Sequence, residues 1–139
     1  MIGYTTGVFD LFHIGHLNLL RQAKSRCNFL IVGVTVDNLV KQYKNIDPVI
    51  PFDQRIQIIS SLRCVDMAVP QTTMLKTDAW DLYHFDVMFV GSDWENTERW
   101  NKFGKDFSEI GVDIVYIPYT KSISSTKLRG ILNESKSRK

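Results

Sequence analysis

Residues 28–36 (NFLIVGVTV) form an almost unbroken apolar run rich in β-branched side chains. A strand of that kind has no face to give to water, so it belongs inside a parallel sheet covered on both sides. Shorter runs of similar character recur at 2–6, 65–69, 87–90 and 112–117. Between them, apolar residues fall at helical spacing. Leu17, Leu19, Leu20 and Ala23 do so with Arg21, Gln22 and Lys24 left for solvent. Ile56, Ile59 and Leu62 follow a breaker cluster at 47–51, and Trp100, Phe103 and Phe107 share one face within 95–110. Further helices are expected at 75–84 and 124–132, and 37–44 is expected to begin helically and pass into a loop. Strands alternating with helices predict an α/β fold: a single Rossmann-like, doubly wound parallel sheet with flanking helices and right-handed crossovers.

A chain of 139 residues makes one domain and buries roughly two-thirds of its unfolded surface. We expect that domain over 1–133, with 134–139 as a polar basic tail. The 44% apolar content is ordinary for a globular protein, and no apolar run approaches the ~20 residues of a membrane span. The net charge is +2, much of it in Lys127, Arg129, Lys136, Arg138 and Lys139. That is too weak a basic stripe for nucleic acid. Neither a nucleic-acid nor a membrane partner is therefore expected. Cys27 and Cys64 do not make a disulfide framework and read as reduced packing residues, and no signal peptide is visible, so the expected location is cytoplasmic.

The junction of the first strand and first helix reads Thr6-Gly7-Val8-Phe9-Asp10-Leu11-Phe12-His13-Ile14-Gly15-His16. Ligands of open α/β sheets bind at this carboxyl edge, and a helix N-terminus offers N–H groups and a positive dipole end to an anion. His13 and His16 are three apart and would face the same way on one helical turn. Without a side chain at Gly15, a phosphate could approach the backbone. Two imidazole donors aimed at one phosphorus could stabilise the charge of an in-line displacement. Spacing alone equally allows a helix-capping pair, or a metal pair, although zinc usually wants three or four ligands.

This segment resembles the HxGH signature of the nucleotidylyltransferase superfamily, in the GxFDxxHxGH form of cytidylyltransferases. Ile123-Ser124-Ser125-Thr126 resembles the family's C-terminal ISTT or ISST signature, and Leu62-Arg63-Cys64-Val65-Asp66-Met67-Ala68-Val69-Pro70 its RYVDxVIPE segment. The resemblance covers almost the whole chain and is nearest to small cytidylyltransferases acting on glycerol 3-phosphate. It implies transfer of CMP from CTP, with Mg²⁺, to a small phosphorylated alcohol, giving a CDP-alcohol for a wall or capsule polymer. It also implies a homodimer.

The same resemblance assigns the residues. His13 and His16 would stabilise the transition state, with Lys44 and Arg63 neutralising charge; Arg63 could instead order a dimer interface. Thr6, Gly7, Val8, Phe9, Asp10 and Gly15 would surround the nucleotide, Asp10 by orienting a histidine or basic partner or by placing Mg²⁺. Ser124, Ser125 and Thr126, with Ile123, would hold phosphates at a helix start, where plain N-capping is the alternative. Lys41, Lys44 and Lys76 would meet the acceptor, Lys44 ahead of Lys41. Gly91-Ser92-Asp93-Trp94 resembles a GSDW segment, making Asp93 a nucleotide contact and Trp94 either a base platform or core. The chain departs from the family in its last loop, where Tyr119 stands for an arginine, Lys121 for an acid and Ser122 for a glycine. His84 fits no motif and is expected at a surface or helix end.

Overall fold

The computed structural model describes residues 1–118, 128 and 130–133. The chain order is β1 (Ile2–Gly7), α1 (Ile14–Ser25), β2 (Phe29–Thr35), α2 (Asp37–Lys44), α3 (Phe52–Ser60), β3 (Met67–Gln71), α4 (Lys76–Tyr83) and β4 (Val87–Gly91). One 3-10 turn (Ser92–Trp94), α5 (Glu98–Glu109) and β5 (Asp113–Ile117) follow. The five strands form one sheet in the order β3-β2-β1-β4-β5, and every pairing is parallel.

All residues of β2 after Phe29 are buried, as its composition requires. One core lies on the α1 and α3 face, built from Leu20, Ala23, Leu30, Val32, Val34, Ile59 and Phe89. The other lies on the α4 and α5 face, around Tyr4, Ile31, Phe85, Met88, Trp100 and Phe107. The predicted stripe on α5 is real: Trp100 and Phe107 are buried and Phe103 packs against them.

The amino edge of the sheet is fastened by two aspartates. Asp66 accepts from the Leu30 N–H at 2.7 Å and from Lys24, and Asp86 accepts from the Ile2 N–H at 2.8 Å. The RYVD-like segment therefore does structural work at the edge opposite the carboxyl ends.

The differences from expectation are local. Residues 37–44 are helical throughout, and the third strand begins two residues later than its apolar pattern suggested. The predicted helix over 95–110 starts at Glu98, where the Thr97 side chain caps it, because the 3-10 turn consumes the residues before. His84 is the left-handed C-cap of α4, with φ 48°. Cys27 and Cys64 are free, half-buried thiols. Of the final predicted helix, residues 128 and 130–133 are described and are helical; its start and the tail lie outside the described residues.

Candidate active site

Chain connections leave β1 in one direction and β4 in the other, so the sheet has its topological switch point between these two neighbours. That geometry opens a crevice beyond their carboxyl ends. A cleft of about 220 Å³ occupies it. Thr6, Gly7 and Val8 reach it from the end of β1, Lys44 from α2 and Lys76 from α4, while Trp94, Arg99, Trp100 and Phe103 line the β4–α5 side. Five of the predicted contacts, Thr6, Gly7, Val8, Lys44 and Lys76, are thus brought together from three sequence segments on one floor.

The histidine pair stands at the start of α1, at the far end of the loop that leaves Thr6, Gly7 and Val8, and does not itself line the cleft. His13 is the N-cap rather than a residue of the first turn, and its backbone is extended. Its Nδ1 accepts from the Gly15 N–H at 3.0 Å, while the His13 N–H donates to Nδ1 of His16 at 3.2 Å. Two histidines thereby make the reciprocal arrangement of a capping box. Capping and phosphate chemistry are not alternatives here. With Nδ1 accepting, the proton of each neutral ring belongs on Nε2. Nε2 of His13 is buried and has no hydrogen-bond partner among the described residues. The Gly15 N–H, expected to face phosphate, is spent on His13.

His16 stacks on His13 with centroids 3.9 Å apart, on Phe12 at 5.3 Å, and meets Phe9 edge-on at 5.5 Å. Burial among these rings pushes its pKa down to about 4, the neighbouring His13 adds to the shift, and Asp10 opposes it. Burial also lowers the pKa of His13. Both imidazoles are therefore neutral donors at neutral pH.

The loop between β1 and α1 is strained into shape. Phe9 (φ 55°) and Leu11 (φ 51°) are left-handed without being glycine, which typically costs about 1–3 kcal/mol apiece. Two features hold it. The Phe9 ring folds back beneath Gly7, where any Cβ would meet it at 2.9 Å. The buried Asp10 carboxylate accepts from the N–H groups of Leu11, Val49 and Ile50 at 3.1, 2.8 and 2.9 Å. Asp10 thus clasps the β1–α1 loop to the segment after α2.

Arg55, which no motif of the sequence singles out, heads the large fully buried side chains among the described residues. Its guanidinium donates to the carbonyls of Ile50, Val8 and Thr35 at 2.7–2.8 Å and pairs with Asp37. It ties the ends of β1 and β2 to the same loop that Asp10 holds. The sequence signal was spacing: Arg55 stands four residues before Ile59, on the core face of α3.

Lys76 is buried and donates to the Thr6 hydroxyl at 2.9 Å. Burial, and secondarily Arg99, lower its pKa to about 8. Lys41 instead turns to solvent and faces Asp47 at 3.9 Å, leaving the cleft to Lys44. Asp93 is exposed, with its carboxylate folded over Gly91. Trp94 is 48% exposed and lines the cleft, so it is a wall of the site and not core. Arg63 is exposed and precedes β3, at the amino edge of the sheet. Its own chain therefore places it away from the cleft, which corrects the expectation of a charge-neutralising role there within one chain. Tyr119, Ile123, Ser124, Ser125 and Thr126 lie outside the described residues.

Residues 4–131 match the family model described as Cytidylyltransferase-like. The chain is 36% identical over 129 residues to the glycerol-3-phosphate cytidylyltransferase of Bacillus subtilis, covering 90% of this chain and 92% of that protein. It is 32% identical to the Staphylococcus aureus protein of the same name, over 90% and 89% of the two chains. It is 33% identical to bifunctional protein HldE of Hyphomonas neptunium, over 91% of this chain and 26% of that one. A lipopolysaccharide core biosynthesis protein from Thermoplasma volcanium shares the fold, with a TM-score of 0.73 at 23% identity over 88% and 98% of the two chains. With its strand–histidine–helix junction at the switch point of a parallel sheet, the chain belongs to the cytidylyltransferase-like family of nucleotidyltransferases.

Proposed function

We propose that this protein transfers the cytidylyl group of CTP to glycerol 3-phosphate, giving CDP-glycerol and pyrophosphate. The observation that carries the reading is Nε2 of His13, buried and without a hydrogen-bond partner among the described residues, on a ring held neutral by its own cap at the end of the loop that begins at the cleft-lining Thr6, Gly7 and Val8. Relatives named for this reaction match across nine-tenths of the chain.

A phosphate oxygen of the acceptor attacks the α-phosphorus of CTP in line. The new P–O bond forms as the bond to the bridging oxygen breaks, and that electron pair leaves with pyrophosphate. No covalent enzyme intermediate is needed, so positioning and electrostatics carry the rate. His13 and His16 donate to oxygens of the five-coordinate phosphorus, where one lost donor of this kind typically costs about 10²–10³ in rate. Thr6 and the backbone of 7–9 shape the floor.

No three His, Cys, Asp or Glu side chains among the described residues converge to hold a metal, and Asp10 already accepts three backbone N–H groups. These residues do not build a protein cage for Mg²⁺, so in this proposal it arrives with the triphosphate oxygens. The protein works as a homodimer in this reading, with Arg63 and the β3 edge near the interface. No described helix is long and apolar enough to cross a membrane.

The test is pyrophosphate release with Mg²⁺, crossing CTP and ATP against a panel of phosphorylated alcohols. Release with CTP and glycerol 3-phosphate is expected. Release with ATP alone would replace the base assignment, and release with CTP and another acceptor would replace the alcohol.

A further inference from the structure

The cleft carries more positive charge than the family motifs explain. Among the described residues, three cations line it, Lys44, Lys76 and Arg99, and no carboxylate does. Among the described residues none of the three takes part in a salt bridge; the ion pairs there are Lys24–Asp66, Lys41–Asp47 and Arg55–Asp37.

Lys76 and Arg99 are also placed against the field of their own helices. Lys76 is the first residue of α4 and Arg99 the second of α5. Cations in a first turn oppose the helix dipole. Arg99 is nevertheless held in position. Its guanidinium lies over the Tyr43 ring at 5.6 Å and the Phe103 ring at 6.0 Å, a stacking that a planar guanidinium makes and an ammonium makes poorly. Lys76 lies over the Trp100 ring at 5.9 Å and is fixed by Thr6. Two held cations at the starts of two helices, lining one cleft, favour an anion there.

We propose that Arg99 and Lys76 together clamp the phosphate monoester of the acceptor, with Arg99 as a substrate-binding residue outside every family motif in the chain. This rests on the transferase reading above and adds Arg99 to the lysines that the family resemblance assigns to the acceptor. In an in-line displacement the attacking oxygen and the leaving pyrophosphate lie on opposite sides of the α-phosphorus. The histidines belong to α1, on one face of the sheet, whereas Arg99 and Lys76 belong to the helices on the other. A pyrophosphate departing on the α1 side leaves the α4–α5 side to the attacking phosphate. A monoester dianion matches two fixed cations, with Lys44 as the mobile third.

Steady-state kinetics of Arg99→Leu and Arg99→Lys test the clamp, and Arg99 is exposed, so both variants should fold. In Arg99→Leu the KM for the acceptor should rise at least tenfold, with the KM for CTP and kcat within threefold. Arg99→Lys should fall between that and the wild type. A rise confined to the KM for CTP, or no change in either KM, would overturn the proposal. Should the wild type turn over no acceptor, the transferase reading fails, and titration calorimetry with inorganic phosphate still reads the clamp. One phosphate bound per wild-type chain and none by Arg99→Leu upholds it; no binding by the wild type, or equal binding by both, overturns it.

Discussion

The backbone N–H of His13 occupies Nδ1 of His16 at 3.2 Å, while Nδ1 of His13 is itself occupied by the Gly15 N–H at 3.0 Å. Each ring is left with its hydrogen on Nε2 and its donor direction set by the helix start. Nitrogen-15 NMR of histidine-labelled protein should show both as the Nε2–H tautomer at pH 7. A dominant Nδ1–H form in either would contradict the assignment.

The stacked environment of His16 makes stability depend on acidity. A pKa near 4 in the folded chain lies below the ordinary value near 6.5 that the unfolded chain shows. Between those values the unfolded state binds the extra proton. The neutral-ring contribution is therefore complete above about 6.5 and is lost as pH falls toward 4. Urea unfolding at pH 7.5, 5.5 and 4.5 should show this decline, and His16→Asn should flatten it. An unchanged slope in the variant would show that the decline comes from carboxylates alone.

Removing the Asp10 clasp should release the loop that follows α2. Asparagine keeps one acceptor oxygen but turns an NH₂ toward backbone donors. Asp10→Asn should lose about 1–3 kcal/mol of stability, the usual penalty for a buried polar group without its partner. Hydrogen exchange at the Val49 and Ile50 amides should accelerate in the variant. Protection as in the wild type would mean that other contacts hold the loop.

Arg55 should be among the most sensitive positions in the chain. Arg55→Met leaves the carbonyls of Val8, Thr35 and Ile50 without their donor, a loss on the order of 3–5 kcal/mol at about 1–3 kcal/mol for each buried group. Arg55→Lys should recover only part of it, since one ammonium cannot span four acceptors. Chemical denaturation measures both, and a loss under 1 kcal/mol in Arg55→Met would contradict the bridging role.

Lys76 should show the opposite sign. At pH 7 its ammonium is protonated both folded and unfolded, and burying it is costly. Lys76→Met should be more stable than the wild type at pH 7, by roughly 1–3 kcal/mol. The wild type sheds its buried proton from about pH 8, while the unfolded chain keeps its own until near 10.4. The advantage of the variant should therefore shrink across that window. A variant that is less stable at every pH would mean that the Thr6 bond outweighs the burial.

Much of the architecture is legible in the chain because burial on both faces leaves little freedom to a run such as 29–35, and Leu20 and Ala23 point to the sheet by spacing alone. Boundaries are less legible. The start of α5 depends on a 3-10 turn and on Thr97, and neither changes the apolar pattern. In the site, the histidine spacing announces a helix start, but the reciprocal cap depends on His13 being extended. The Asp10 clasp and the Arg55 bridge join residues about 40 and 47 positions apart, so no local pattern reports them. Arg99 reads as a solvent-facing helical residue until Tyr43 arrives from another element to stack on it.

The central claim is tested most directly by phosphorus-31 NMR of CTP, glycerol 3-phosphate and Mg²⁺ incubated with the wild-type protein and with His16→Ala, whose retained fold is checked by circular dichroism. CDP-glycerol and pyrophosphate should appear in equal amounts with the wild type, at a rate about 10²–10³ lower in the variant. An unchanged rate in His16→Ala, or no CDP-glycerol from the wild type, would contradict the claim.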